Sequence, residues 1–363
     1  MSKKVIVIGA GLGGISAAVS LRAEGFDVAV YEKNSRIGGK LNFQEIDGFG
    51  FDLGPSIFTL PQYFQSLWER AGKKMEDYVE LQPVTPHWRN FFEDGSSLDL
   101  YQEDDLMRAE LSKLDGDADE HWRQLTAFLE YARGQYRIAE AGYFDKGIDN
   151  LWEMIRGVGL VRLFTKVDHY RRMSQSIAAH IDDPKLRSIF EYFIKYVGSS
   201  ALDAPGYMNL MPIIQFDYGL WYVKGGMYEL ANGLGRLLDE LGIEIHLNAE
   251  VSQIGKNGKS VHSVILGDGQ QLQADYVVCN MEVIPAYKRL LDEPPAFLSE
   301  LIVNPICSEM KHEAGTSWLE PFQLAKKGWR LVEQTFVGWN HFHVAHHVIR
   351  LQLLTVAKNH GVN

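Results

Sequence analysis

Three glycines spaced Gly9-x-Gly11-x-x-Gly14, with a carboxylate at Glu32, 23 residues beyond Gly9, are the groups in this chain whose types and spacing suit chemistry. In such a loop the first glycine allows a tight turn and the second lets backbone approach a pyrophosphate. The third lets a helix pack close to the strand before it. The amides that open a helix carry partial positive charge and have no partner of their own, so phosphates settle there. A carboxylate ending the following strand can accept both hydroxyls of a ribose, whereas a 2′-phosphate would call for a basic residue. The pattern therefore predicts a dinucleotide site. The bland alternative is a glycine-rich turn without a ligand.

The next motif separates FAD from NAD. Arg36-Ile37-Gly38-Gly39-Lys40 follows the carboxylate directly. A second glycine pair brings more bare backbone beside the pyrophosphate, and Arg36 and Lys40 add positive charge. A plain NAD dehydrogenase runs straight into its next helix at this point. The stretch FDLGPSIFTLP (51–61) then offers a Gly54-Pro55-Ser56 turn close to a flavin. FAD is the expected cofactor. Asp52 and Glu229 are carboxylates near these motifs, and each is equally readable as structural, so no catalytic residue is assigned.

The elements around the loop have the right character. Val5 to Ile8 is apolar without alternation, as in a strand buried on both faces of a parallel sheet. Ile15 to Glu24 reads as a helix, Gly25 as its stop and Val28 to Tyr31 as a second strand, completing a βαβ unit. WRNFFEDGSSLDLY (88–101) reads as a hairpin around Asp94-Gly95. Residues 103–197 read as helices, with Asp182 or Asp183 and Pro184 starting the last. The α/β pattern returns with a helix over 227–242, strands over 243–247 and 249–254, a hairpin around Asp268-Gly269 and an apolar strand before Asn280. The expected class is α/β, with a Rossmann-like FAD-binding domain on a parallel sheet and an inserted, mostly helical α+β substrate domain. The domain limits are 1–65 with 222–300 for the first, 66–221 for the insertion and 301–363 for a tail.

Composition narrows the partners. A net charge of −11 over 363 residues argues against nucleic acid. Two cysteines, Cys279 and Cys307, with no paired spacing fit a reducing compartment, and Cys279 in DYVVCN reads as a buried core residue. No signal peptide is expected before the loop, and no run reaches the ~20 apolar residues that span a bilayer. LWEMIRGVGLVRLF (151–164) suits the membrane interface, with Trp152 at headgroup depth, or else a core helix. The expected place is the cytoplasm, peripheral on the inner face of the cell membrane. His341, His343, His346 and His347 read as an incidental cluster, with no metal expected.

IGAGLGGISAAVSLRAEGFDVAVYEKNSRIGGKLN together with FDLGPSIFTLP resembles the amine-oxidase-like FAD flavoprotein superfamily. APGYMNLMPIIQFDYGLWYVKGGMYELANGL (204–234), NAEVSQI (248–254) and ADYVVCNMEVIPAYKRLL (274–291) narrow it to the phytoene and diapophytoene desaturases and related carotenoid oxidases. The resemblance covers about residues 1–300. It implies FAD bound through Gly9, Ala10, Gly11, Gly13, Gly14, Glu32, Lys33, Arg36, Gly38, Gly39, Lys40, Gly54, Pro55 and Ser56, with the Val251 backbone at the adenine side. It implies desaturation of a long apolar carotenoid precursor, such as phytoene or diapophytoene, with a hydride equivalent passing to flavin and the substrate drawn from a membrane. Oxidation of a carotenoid end group, an amine or a porphyrinogen stays open. The tail 301–363 departs from the family pattern and reads as a truncated or frame-shifted end. A non-catalytic FAD-binding remnant or partner subunit therefore stays open too.

Overall fold

The computed structural model describes residues 2–141, 165–257 and 260–291, with Arg156, Gly159 and Arg162. These fall into two compact units, residues 2–82 with 221–291 and residues 83–220. The expected membrane stretch 151–164, almost in full, and the tail with its histidines lie outside the described residues.

The first unit opens with β1 (Lys4–Ile8), α1 (Leu12–Ala23) and β2 (Asp27–Tyr31), and the strands pair in parallel from Lys4↔Asp27 to Ile8↔Tyr31. Val5 to Ile8 are buried, which accounts for their unbroken apolar run. The helix starts three residues before the expected Ile15, because the glycine loop itself is its first turn. It ends as expected. Gly25 N–H donates to Arg22 O (3.0 Å) and Phe26 N–H to Leu21 O (3.1 Å), the bond pair of a left-handed helix stop.

A hairpin absent from the sequence reading follows. β3 (Asn42–Ile46) and β4 (Phe49–Leu53) pair from Asn42↔Leu53 to Ile46↔Phe49. Asp47 and Gly48 both take positive φ (52° and 80°), the condition for the two-residue turn that matches strand twist. α2 (Pro61–Arg70) buries Phe64, Leu67 and Trp68 in the same core as Val79. This is why the unit runs on to Gln82 rather than closing at residue 65.

The second unit holds the expected hairpin, β5 (Trp88–Phe91) with β6 (Ser97–Leu100). Then come α3 (Asp104–Leu111) and α4 (Ala118–Ala139). α4 buries His121, Gln124, Leu125, Phe128, Leu129, Ala132, Gln135 and Tyr136, a stripe at three- and four-residue spacing. α5 (Met173–Ala178), α6 (Pro184–Tyr192) and α7 (Met211–Phe216) complete it. Asp183 caps α6 by accepting from Leu186 N–H (2.9 Å). The expected helix to residue 197 tightens into a 3-10 turn over Phe193–Tyr196 before Gly198, whose φ is 72°. The polar centre is Asp168. Its Oδ2 accepts from both Tyr131 Oη and Ser176 Oγ at 2.6 Å, and its N–H donates to Gln135 Oε1 at 3.0 Å.

The chain returns to the first unit through α8 (Tyr228–Glu240) and β7 (Glu244–His246). An antiparallel meander follows, β8 (Val251–Asn257), β9 (Ser260–Leu266) and β10 (Gln271–Gln273). Then come β11 (Tyr276–Cys279) and α9 (Val283–Leu290). β11 pairs in parallel with β1, giving the sheet order β11-β1-β2-β7. Cys279 is half-buried rather than fully in the core, since it stands at the strand's open end. α1 is buried by the sheet together with residues of α2 and α8, hence its small residues Ala17 and Ala18.

Asp168→Ala removes the shared acceptor of two hydroxyls and is expected to cost about 3 kcal/mol. A lower urea midpoint for the second unit checks this, and an unchanged midpoint refutes it.

Candidate functional site

All the expected site residues belong to the first unit, so they can be placed against one another. At the carboxyl end of β1 the chain turns at Gly9, whose N–H donates to Tyr31 O (2.8 Å). Gly11 is the first cap position of α1, and no side chain caps it. No side chain therefore serves the opening amides of that helix, the condition for an anion site. Gly14 packs so tightly that a β-carbon there would lie 1.9 Å from Gly9 O.

The second glycine pair folds onto this loop. Gly38 N–H donates to Ala10 O (2.8 Å), and Gly38 bridges Gly11 in parallel fashion. A β-carbon on Gly39 would lie 2.9 Å from Gly11 Cα. The Gly54 turn closes on Lys40, since a β-carbon there would come 2.2 Å from Lys40 O. The Gly38–Gly39 bend thus meets the Gly9–Gly14 loop, and the Gly54 turn meets the residue that follows that bend. Ala10 and Gly13 are buried within the loop and helix.

Glu32 is 5% exposed at the end of β2. Its Oε2 accepts from Ala10 N–H (2.7 Å), and its Oε1 accepts from Asn34 N–H (2.9 Å) and Asn34 Nδ2 (2.7 Å). N–H donors alone orient the carboxylate, and a carboxylate has lone pairs to spare for hydroxyl donors. Ala249 N–H donates to Glu32 O (2.9 Å). That bond brings the start of β8, and with it buried Val251, beside the end of β2.

The cationic residues behave differently. Arg36 Nη1 donates to Phe43 O (2.6 Å) and the guanidinium lies over the Tyr228 ring at 5.9 Å, so it also ties down the hairpin. Lys33, Lys40 and Ser56 are exposed, and Pro55 is half-buried. Asp52 is structural. Its carboxylate accepts from Met227 N–H (2.7 Å) and Tyr228 N–H (3.0 Å), capping α8. Glu229 accepts from Asn232 Nδ2 within that helix.

One residue escaped the sequence reading. Asn280 follows β11 and extends the pairing with β1, its N–H donating to Ile8 O (2.8 Å). Its Nδ2 lies 3.0 Å from where a Gly11 β-carbon would be, and its Cβ 3.3 Å from the corresponding point at Gly14. The signal was a polar residue directly after an apolar strand. A polar side chain at the carboxyl end of a strand beside β1 looks onto the crevice where α/β sheets hold ligands.

The arrangement fits a dinucleotide carried across the open end of the sheet. The glycine backbone would hold a diphosphate and Glu32 a ribose. Among the described residues there is no group of three side chains suited to hold a metal ion.

A model of the flavin-containing amine oxidoreductase family matches residues 12–307. A 4,4'-diapolycopene oxygenase from a Methylomonas species is 50% identical over 325 residues, which are 89% of this chain and 65% of that protein. A 4,4'-diaponeurosporene oxygenase from Staphylococcus haemolyticus is 46% identical over 289 residues, 80% of this chain and 57% of that one. Among solved structures, an oxidoreductase from Methanosarcina mazei superimposes with a TM-score of 0.55 at 18% identity, over 82% of this chain and 64% of its own. Putrescine oxidase with putrescine bound gives 0.53 at 19% identity, over 80% and 60%. At that identity the structural likeness concerns the fold, which is the α/β flavoprotein fold expected. The chain spans less than two thirds of the length of the curated relatives it matches.

Gly14→Ala would push α1 off Gly9 and is expected to weaken flavin binding roughly tenfold or more, about 1.4 kcal/mol. Fluorescence titration with flavin checks this, and unchanged affinity would remove the close contact from the account.

Proposed function

Because the chain belongs to the flavin-containing amine oxidoreductase family, we propose that it binds FAD in the glycine cradle and oxidises a long, linear polyene of the carotenoid class. The observation that carries this reading is the meeting of the Gly9–Gly14, Gly38–Gly39 and Gly54 backbones beside a buried, amide-oriented Glu32. A mononucleotide would leave the ribose acceptor and the start of β8 unused, whereas FAD uses both ends.

Bound flavin supplies two-electron oxidation. The chain's own residues do the holding. The α1 amides and the Gly38–Gly39 bend take the diphosphate, and Glu32 takes the ribose hydroxyls. Val251 would serve the adenine end, and the Gly54-Pro55-Ser56 turn the ring system. Asn280 adds a side-chain donor from the other lip of the crevice. Lys33, Arg36 and Lys40 offset the negative charge of the phosphates at longer range.

The relatives' names concern oxygenation of diapolycopene and diaponeurosporene. Oxygenation of such a polyene is therefore our first reading, and the desaturation expected from the sequence is the second. Such a substrate partitions into bilayers, which puts the work at a membrane surface, on its cytoplasmic side. Among the described residues no helix is long and apolar enough to cross a membrane. The sequence leaves one further reading open, a flavin-binding polypeptide without turnover of its own.

The purified chain, reconstituted with FAD, can be given diaponeurosporene in liposomes under air and the pigment analysed by mass. Gain of oxygen supports the first reading, and loss of two hydrogens the second. Bound flavin with unchanged pigment supports the non-catalytic one. Failure to retain flavin at all sinks every version. Asn280→Asp sets a carboxylate beside the diphosphate and is expected to weaken FAD roughly tenfold, against a few-fold for Asn280→Ala. Equal affinities would take Asn280 out of the site.

A further inference from the structure

The second unit contains a lysine in surroundings that the proposed flavin chemistry does not use. Lys195 lies in the 3-10 turn after α6, with its ammonium among three aromatic faces. Nζ is 3.4 Å from the Trp88 ring centroid, 4.1 Å from that of Tyr192 and 5.2 Å from that of Tyr196. Two of those walls are fixed by one side chain. Gln215, 1% exposed, accepts from Trp88 Nε1 (2.7 Å) and donates to Tyr196 Oη (2.6 Å). The crevice beside the amine is lined with Leu100, Ile189 and Phe193, with Asn90 as its polar member. Among the described residues the Lys195 side chain has no ion pair and no hydrogen-bond acceptor.

Two effects compete at this amine. The ring faces attract a cation. Against that, an ammonium carries three N–H donors and strong hydration, and no carboxylate lines the crevice, where Asn90 is the one polar neighbour among the described residues. Burial accordingly pulls the amine down to about 8. Tyr196, pushed up to about 12 by burial, stays neutral beside it. A protonated imine resolves the conflict. It keeps the positive charge that the rings favour and has a single N–H to satisfy.

We propose that Lys195 is a covalent capture site for apolar aldehydes, its nitrogen condensing with the carbonyl carbon to give a protonated imine held among Trp88, Tyr192 and Tyr196. The ammonium first releases a proton to water, and the freed lone pair forms the C–N bond. The carbonyl oxygen then takes up protons and leaves as water, and the C=N nitrogen keeps one positive charge. Aldehyde and ammonium thus become iminium and water, with no electrons gained or lost. The aliphatic and aromatic lining selects apolar over charged aldehydes. The proposal does not depend on flavin binding.

The test uses the full chain with hexanal and sodium cyanoborohydride at pH 7.5, with alkylated peptides mapped by mass spectrometry. Lys195 is expected to label roughly tenfold or more faster than exposed Lys33 and Lys74, because far more of its amine is neutral at that pH. Labelling at or below their rate overturns the proposal. Glyoxylate, a charged aldehyde, is expected to label Lys195 roughly tenfold more slowly than hexanal does, and equal rates overturn the apolar selection. Trp88→Leu should lower the trapped imine severalfold, and an unchanged yield would overturn the role of the rings. The comparison among lysines in the unaltered chain stands even where that variant fails to fold.

Discussion

Backbone lies against backbone at the carboxyl end of β1, with no room for a single β-carbon between Gly14 and Gly9 or between Gly39 and Gly11. The rest of the first unit depends on that closeness. It lets α1 settle low on the sheet, so that the helix is buried by strands below and by α2 and α8 above. It also brings the Ala10 amide within 2.7 Å of Glu32, which gives Oε2 of that buried carboxylate its partner while Asn34 serves Oε1. The constraint is steric, and its result is electrostatic: helix amides, unserved by any side-chain cap, stand beside an oriented carboxylate.

The hairpin β3–β4 extends the cradle's influence along the chain. Arg36 holds Phe43 from the glycine bend, and Phe43 stacks on Tyr228 at 6.1 Å. Asp52, on the partner strand, caps the helix that begins at Tyr228. A segment near residue 50 thereby orders one near residue 228, although a whole compact unit intervenes in sequence. The returning segment then supplies β7 and β11 to either side of the β1–β2 pair, and Asn280 to the crevice. The site is complete only when both halves of the split unit are present.

Much of this is legible in the sequence. Glycine spacing, an apolar run without alternation and a carboxylate at a strand end are local signals, and local geometry decides them. The Asp47-Gly48 hairpin announces itself only by its turn dipeptide. Its first strand is masked, because Asn42 to Ile46 carries polar residues at three of five positions and so lacks a strand's apolar alternation. Asn280 and Asp52 are hidden for another reason. The part each plays is set by a partner more than 170 residues away, at Gly11 and at Tyr228, and no spacing rule within one segment reports it. The domain limit shifts for the same cause, since Trp68 and Val79 join the first core through contacts that their own neighbourhood does not announce.

The two units shelter charge by three different means. Glu32 is surrounded by N–H donors, and Asp168 by two hydroxyls with the Arg171 guanidinium 3.5 Å away. Each carboxylate is therefore well partnered, and each serves as a fixed point for the chain around it. Half-buried Lys195 is treated otherwise. Its charge lies against three π-faces, which attract a cation without accepting its hydrogens, and among the described residues no group hydrogen-bonds it. Of these three groups it alone is left with donors to discharge. A sheltered group whose neighbours satisfy it holds structure together. One whose neighbours satisfy only its charge is free to change its bonding, and this is why reactivity is assigned to Lys195 and not to the better-partnered carboxylates.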